Sequence, residues 1–210
     1  MWLPLFPLHT ALFPGDALPL RVFEPRYREM MGWVLAGDRR FGVVAISAGT
    51  EVGEPSEVHS IGCIALIEHI AEAADGTFDL LCRGESRFQI VERLADDPYP
   101  HAEVRMLPDE PGENAAHAVA AARAALAKYA RAVERLGLVI GHDEHANPIA
   151  ESYRIAGALL VDVPVRQRLL ACGTAAERLQ LAGAVARREA NILLTIGPSA
   201  GVPLGRPSPN

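Results

Sequence analysis

The chain has 210 residues, half of them apolar and 22% charged, enough to bury one good core or two small ones sharing an interface. A net charge of −6 is the wrong sign for a general nucleic-acid binder. No apolar run reaches the roughly 18 residues of a spanning helix and no secretory leader opens the chain, so cytoplasmic residence is the expectation.

The first elements are two short apolar runs, Leu3–Leu8 and Leu18–Phe23, flanking the turn residues Phe13-Pro14-Gly15. Pro4, Pro7, Pro14 and Pro19 each lack a backbone donor, so strands here cannot sit mid-sheet with every N–H paired. Glu24-Pro25-Arg26-Tyr27 then opens a helix, with Pro25 in its first turn, that runs through Leu35 and stops near Gly37. On that helix Tyr27, Met30, Met31, Val34 and Leu35 share one stripe, and Trp33 falls near its edge. Phe41–Ser47 is a compact apolar run that predicts a buried strand, and Ala48–Ser60 predicts a surface loop. Ile61–Ile70 and Phe78–Val91 predict a hairpin turning at Asp75-Gly76, with Gly84 marking a bulge or bend in the second strand. His101–Leu107 supplies one more strand.

After Pro108–Gly112 the period changes. Val119, Ala122, Leu126, Tyr129, Val133 and Leu136 define a long amphipathic helix between Asn114 and Gly137. A polar connection, Leu138–Pro148, precedes a helix over roughly Ala150–Val161, and Asp162 caps another with Pro164 in its first turn. Thr174 and Glu177 form a capping box for a last helix, whose Leu179, Ala182, Val185, Ala186, Leu193 and Ile196 point to the core. Residues 197–210, rich in Gly, Pro and Ser, predict a disordered tail. A β-rich first half followed by helices is an α+β organisation: a lobe over residues 1–108 and a helical lobe over 112–196.

Reactive machinery is hard to find. Lys128, the single lysine, lies in an alanine-rich helix without the GxxxxGK[ST] glycines of a phosphate-binding loop and without a neighbouring serine for a Ser–Lys peptidase. Cys63, Cys82 and Cys172 are widely spaced in apolar surroundings and read as buried free thiols. His142-Asp143-Glu144-His145 is the best metal or acid–base cluster, yet it lacks a remote partner and falls between helices, so a solvated loop is the plainer reading. Neither a cofactor nor a catalytic residue is predicted. Arg21, Arg26, Arg28, Arg39 and Arg40 are locally basic, but acidic residues interleave with them.

Two segments carry a resemblance. The opening Leu3–Leu8, Phe13–Gly15 and Glu24–Tyr27 series is joined by Ile61-Gly62-Cys63-Ile64-Ala65, Asp75-Gly76 and Arg83-Gly84-Glu85-Ser86-Arg87-Phe88-Gln89-Ile90. With Tyr153–Leu160, Pro164–Leu170 and Arg178-Leu179 in order behind them, the chain resembles the N-terminal domain of Lon-type ATP-dependent proteases over about residues 3–194, without motor or peptidase. The resemblance implies a six-stranded pseudo-barrel of PUA-like type with one packed helix, joined to a helical bundle. It also implies a non-enzymatic module that recognises unfolded or exposed polypeptide, an adaptor in protein quality control working with a protease or chaperone. Tyr27, Met30, Met31 and Trp33 are the residues nominated to bind polypeptide, because pliable Met and large Trp suit a promiscuous apolar surface. The plainer reading of the four is core. The alternatives are a small-molecule-binding regulatory domain and an RNA-binding PUA-like module. Glu24, Arg26 and Arg87 are expected to form an ion-pair network that fixes the strands.

Overall fold

The computed structural model describes residues 1–51, 57–94, 98–141 and 144–196; the segment expected to be a disordered tail lies outside them. Seven strands and one helix come first: β1 (Trp2–Leu8), β2 (Ala17–Val22), α1 (Pro25–Ala36), β3 (Arg40–Ala48), β4 (Glu57–Val58), β5 (Ile61–Glu72), β6 (Phe78–Arg93) and β7 (His101–Met106). Four helices follow: α2 (Ala115–Glu134), α3 (Pro148–Gly157), α4 (Val163–Ala171) and α5 (Ala175–Ile196). Mixed α+β organisation with a mainly antiparallel sheet is therefore observed. The strand beyond the six expected is β4, two residues inside the segment read as loop.

Five strands pair in a closed cycle, β1–β7–β6–β5–β3 and back to β1. The cycle closes because β1 changes neighbours along its length: Trp2–Pro4 pair with β7, and Leu5–Leu8 pair in parallel with β3. No register position of β1 has both edges in the ladder, so Pro4 and Pro7 can each turn their missing N–H to an edge with no partner. Pro19 is tolerated for the same reason, since β2 pairs with β6 alone.

Asp75 and Gly76 make the predicted hairpin turn. Gly76 takes φ +77°, a conformation that favours glycine, and the Asp75 carboxylate accepts the Thr77 N–H at 3.0 Å. Gly84 is the point where the β1–β2 connection crosses β6. Its N–H donates to the Asp16 carbonyl at 2.9 Å, and an added Cβ would stand 2.1 Å from the Phe13 carbonyl oxygen. Immediately after it the β5–β6 register slips. Cys63 opposes Arg87 and Ala65 opposes Gly84, so Glu85 and Ser86 together face Ile64.

Among the helices, α2 and α5 pack through small side chains. Ala122, Ala125, Ala182, Ala186 and Ala190 are buried, which lets the backbones approach closely. The predicted stripe of α2 holds through Val133, whereas Leu136 lies beyond the helix end and is exposed. Asn114 does precede α2, but in the left-handed region and without a side-chain cap. The α4 and α5 caps match expectation: Asp162 accepts the Val165 N–H, and Thr174 and Glu177 exchange hydrogen bonds at 3.2 Å.

The strand and helical regions are tied by shared core and by buried arginines. Ala11, Phe13 and Ala45 belong to the apolar cluster otherwise built from the helices α2–α5 and their connections. Arg87, 2% exposed, pairs with Asp109 and donates to the carbonyls of Leu170, Cys172 and Pro108. Arg166 of α4 reaches back to the Ala11 carbonyl and to Asp16. The expected network of Glu24, Arg26 and Arg87 is thus two separate arrangements. Glu24 and Arg26 pair at 3.0 Å at the start of α1, while Arg87 serves the junction.

Candidate functional site

Helix α1 sorts the nominated residues. Pro25 starts it, and the 3.6-residue period then turns Tyr27, Met30, Met31 and Val34 onto the strands, where Met30 and Met31 are wholly buried and Tyr27 is nearly so. These side chains join Phe6, Phe41, Val43 and Leu80 in a closed core cluster. Met30 and Met31 are therefore packing residues, while Tyr27, 3% exposed, also borders a narrow slot between β1 and β2. Trp33, on the other side of the helix, is 49% exposed.

Trp33 does not stand alone. The Trp2 ring meets it edge to face, with centroids 4.6 Å apart, and His101 flanks Trp2 at 5.3 Å. Met1 and Met106 are exposed beside them. Together they border a groove of about 590 Å³ to which all five strands of the closed cycle contribute: Trp2 from β1, Arg40 from β3, Ile64 from β5, Glu85 and Ser86 from β6, and Met106 from β7. Both tryptophans of the chain lie here, with two of its four methionines.

One wall is charged. The bulge after Gly84 presents Glu85, whose carboxylate takes two hydrogen bonds from the Arg40 guanidinium at 2.6 and 2.9 Å. Asp38, just past the end of α1, accepts the Arg40 backbone N–H at 3.2 Å and stands 3.6 Å from the same guanidinium. Its side chain stays 67% exposed.

Two other depressions differ in character. A cleft of about 450 Å³ between the strand and helical regions is lined by Asp16, Arg83, Glu85, Asp109, Tyr153 and Arg154 among others. Its charged groups are already matched: Asp16 with Arg166, Arg83 with Glu68, Glu85 with Arg40, Asp109 with Arg87, and Arg154 with Glu151. A slot of about 200 Å³ separates Phe6–Leu8 of β1 from Pro19–Val22 of β2.

Of the proposed metal or acid–base cluster, His142 and Asp143 lie outside the described residues. Glu144 pairs with Arg123, and His145 offers its backbone N–H to Glu151 and its carbonyl to Arg123. Glu151 is fully buried at the base of α3. Burial raises its carboxyl, but Arg154, Arg123 and the His145 N–H outweigh this and hold it at about 2. Burial pushes the Cys82 thiol up to about 12 and raises those of Cys63 and Cys172 as well, so none is poised as a thiolate nucleophile. Among the described residues no group of three or more His, Cys, Asp or Glu is placed to hold a metal, and no helix is long and apolar enough to cross a membrane.

Sequence reasoning reached Trp33 but missed Trp2, Met1, Met106 and the Asp38–Arg40–Glu85 wall. The one available signal was the pair of tryptophans, each beside a strand or helix of predicted core. Nothing in the periodicity brings positions 2, 33 and 106 together, because that depends on how β1 and β7 pair.

Comparison with known proteins agrees with this architecture. The family model described as the ATP-dependent protease La (LON) substrate-binding domain matches residues 2–185. Lon protease 2 of Herpetosiphon aurantiacus is 33% identical over 202 residues, covering 91% of this chain and 24% of that protein. Lon protease of Roseiflexus castenholzii is 28% identical over 206 residues, covering 94% of this chain and 25% of that protein. The chain thus spans about a quarter of the length of these curated relatives. Among solved structures, a Lon N-terminal domain protein from Xanthomonas campestris superposes with a TM-score of 0.64 at 28% identity, covering 88% of this chain and 98% of that one. The N-terminal domain of Mycobacterium avium complex Lon protease shares the fold, with a TM-score of 0.63 at 18% identity and coverage of 89% and 98%. With nearly the whole chain matched and its fold shared, the protein belongs to the LON substrate-binding domain family.

Proposed function

We propose that the chain is a polypeptide-recognition module that works by contact and not by turnover, seating exposed apolar segments in the Trp2–Trp33 groove. The observation that carries this reading is the groove itself: two half-exposed indoles and two exposed methionines gathered in one concavity, in a member of a substrate-binding domain family. Indoles bring large area at little conformational cost, and methionine adapts to varied shapes, which suits ligands without a fixed sequence. Affinity is modest, because an unfolded chain loses conformational entropy as it docks.

In this reading the closed strand cycle, with β2 and α1, is the pseudo-barrel lobe of residues 1–108, and α2–α5 form the bundle of the helical lobe, residues 112–196. The module is cytoplasmic and acts as an adaptor in protein quality control, passing polypeptide to a protease or chaperone. The second reading, a small-molecule regulatory domain, has the polar cleft between strands and helices in its favour, but internal ion pairs already satisfy that cleft.

Tryptophan fluorescence tests the proposal without a label, because both fluorophores sit in the groove. Titration with a reduced, carboxymethylated polypeptide should shift the emission and saturate. Trp33→Ala should weaken binding about thirtyfold, equivalent to about 2 kcal/mol for a groove anchor, with thermal stability unchanged. An emission spectrum indifferent to the polypeptide, or Trp33→Ala binding as wild type does, contradicts it.

A further inference from the structure

We infer that the groove selects apolar segments that carry a basic residue, docking an arginine or lysine head against Asp38 and the face of an exposed indole. The inference rests on the polypeptide-binding reading and names the class of segment preferred.

The charges lining the groove are unevenly partnered. Arg40 is the one side-chain cation of the lining, and it is committed to Glu85 through two hydrogen bonds. Asp38 reaches the same guanidinium only at 3.6 Å and keeps most of its surface open to water. The lining's other cation is the Met1 ammonium, which is held on the Val104 carbonyl at 2.9 Å. A basic ligand entering the groove thus meets spare carboxylate at Asp38.

The aromatic surface favours the same ligand. A cation over an indole face is drawn by the ring quadrupole, and tryptophan is the best of the aromatic rings for it. Trp2 and Trp33 meet edge to face, an arrangement that leaves ring surface free on both, and they are 39% and 49% exposed. Indole face and carboxylate together answer both parts of an arginine or lysine side chain: the apolar stem and the charged head. An acidic segment finds Arg40 already bound to Glu85, meets the Met1 ammonium alone as a cation of the lining, and is repelled by Asp38. The cleft between strands and helices offers a weaker site for a charged side chain, because Asp16, Asp109 and Arg154 already have ion-pair partners outside its lining.

The test uses three synthetic peptides with one shared apolar core, flanked by arginine, by serine or by glutamate. Each is titrated by tryptophan fluorescence against wild type, Asp38→Asn and Trp33→Ala, at low and high salt. The arginine-flanked peptide should bind wild type about tenfold tighter than the glutamate-flanked one at low salt, from one exposed ion pair and one cation–π contact. That ratio should fall to about twofold in high salt and in Asp38→Asn, while the serine-flanked peptide binds Asp38→Asn as it binds wild type. Equal binding of the three peptides, with all of them lost in Trp33→Ala, overturns the charge preference and leaves the groove standing. A preference for arginine that survives Asp38→Asn unchanged also overturns it. Failure of every peptide to change the emission removes the groove reading and this one with it.

Discussion

Glu151 shows how a charge is kept in this interior. The carboxylate has no exposed surface, yet it accepts from Arg123, from two nitrogens of Arg154 and from the His145 N–H. Neutralising it leaves Arg154 without its carboxylate and Arg123 with Glu144 and the His145 carbonyl alone, so Glu151→Gln should lower unfolding free energy by roughly 3 kcal/mol, read from denaturant melts. The pH dependence has a definite sign. The folded carboxyl, near 2, lies below its ordinary value of 4.5, so the stability it provides is complete above about 4.5 and is lost as pH falls toward 2. Melting temperature of wild type should drop through that window, and Glu151→Gln should drop less steeply. Gly84 is a second residue with one tolerated identity. Alanine there drives a Cβ into the Phe13 carbonyl, and that backbone is itself tied to Gly84 by the Gly15 and Asp16 hydrogen bonds. Gly84→Ala should destabilise by more than about 1 kcal/mol, by the same melts.

At the scale of elements, α1 divides into a buried face that stabilises and an exposed face proposed to bind. Met31→Ala removes a fully buried side chain and should cost about 2–5 kcal/mol of stability, whereas Trp33→Ala should leave the melting curve in place. The elements themselves were largely legible in the sequence. Proline placement identified the edge-like strands β1 and β2, Asp75-Gly76 identified the hairpin, and Thr174 with Glu177 located the start of α5. Each is a local signal with a local cause. What escaped was long range. The parallel β1–β3 pairing that closes the cycle links residues nearly forty positions apart, and no turn chemistry announces it. The same gap explains the site. Helical period placed Tyr27, Met30 and Met31 together but could not say that strands cover them, and Trp2 became meaningful only once β1 lay beside β7 and α1. Arg87 was singled out correctly as structural and given the wrong partners, since its acceptors lie on the 108–109 connection and on α4 with the residue after it.

For the whole molecule, the junction makes strands and helices one cooperative unit. Arg87→Ala takes its guanidinium from the carbonyls of Leu170 and Pro108 and leaves the Cys172 carbonyl to Arg178 and the Asp109 carboxylate to Tyr153, a loss of about 3 kcal/mol. Both tryptophans report on the strand region, and far-ultraviolet dichroism is dominated by α2 and α5, so the two signals should melt together in wild type and separate in Arg87→Ala. The groove lies on the strand side of this junction, so a polypeptide seated as proposed touches α1 and β1 and leaves α2–α5 untouched. Hydrogen exchange on the full chain, with and without a saturating unfolded polypeptide, tests that placement most directly. The account predicts slowed exchange over Trp2–Pro4, Trp33–Arg40 and Val104–Met106, and unchanged exchange over Pro14–Asp16 and His145–Arg154. Protection confined to those last two segments, or found nowhere, would contradict it.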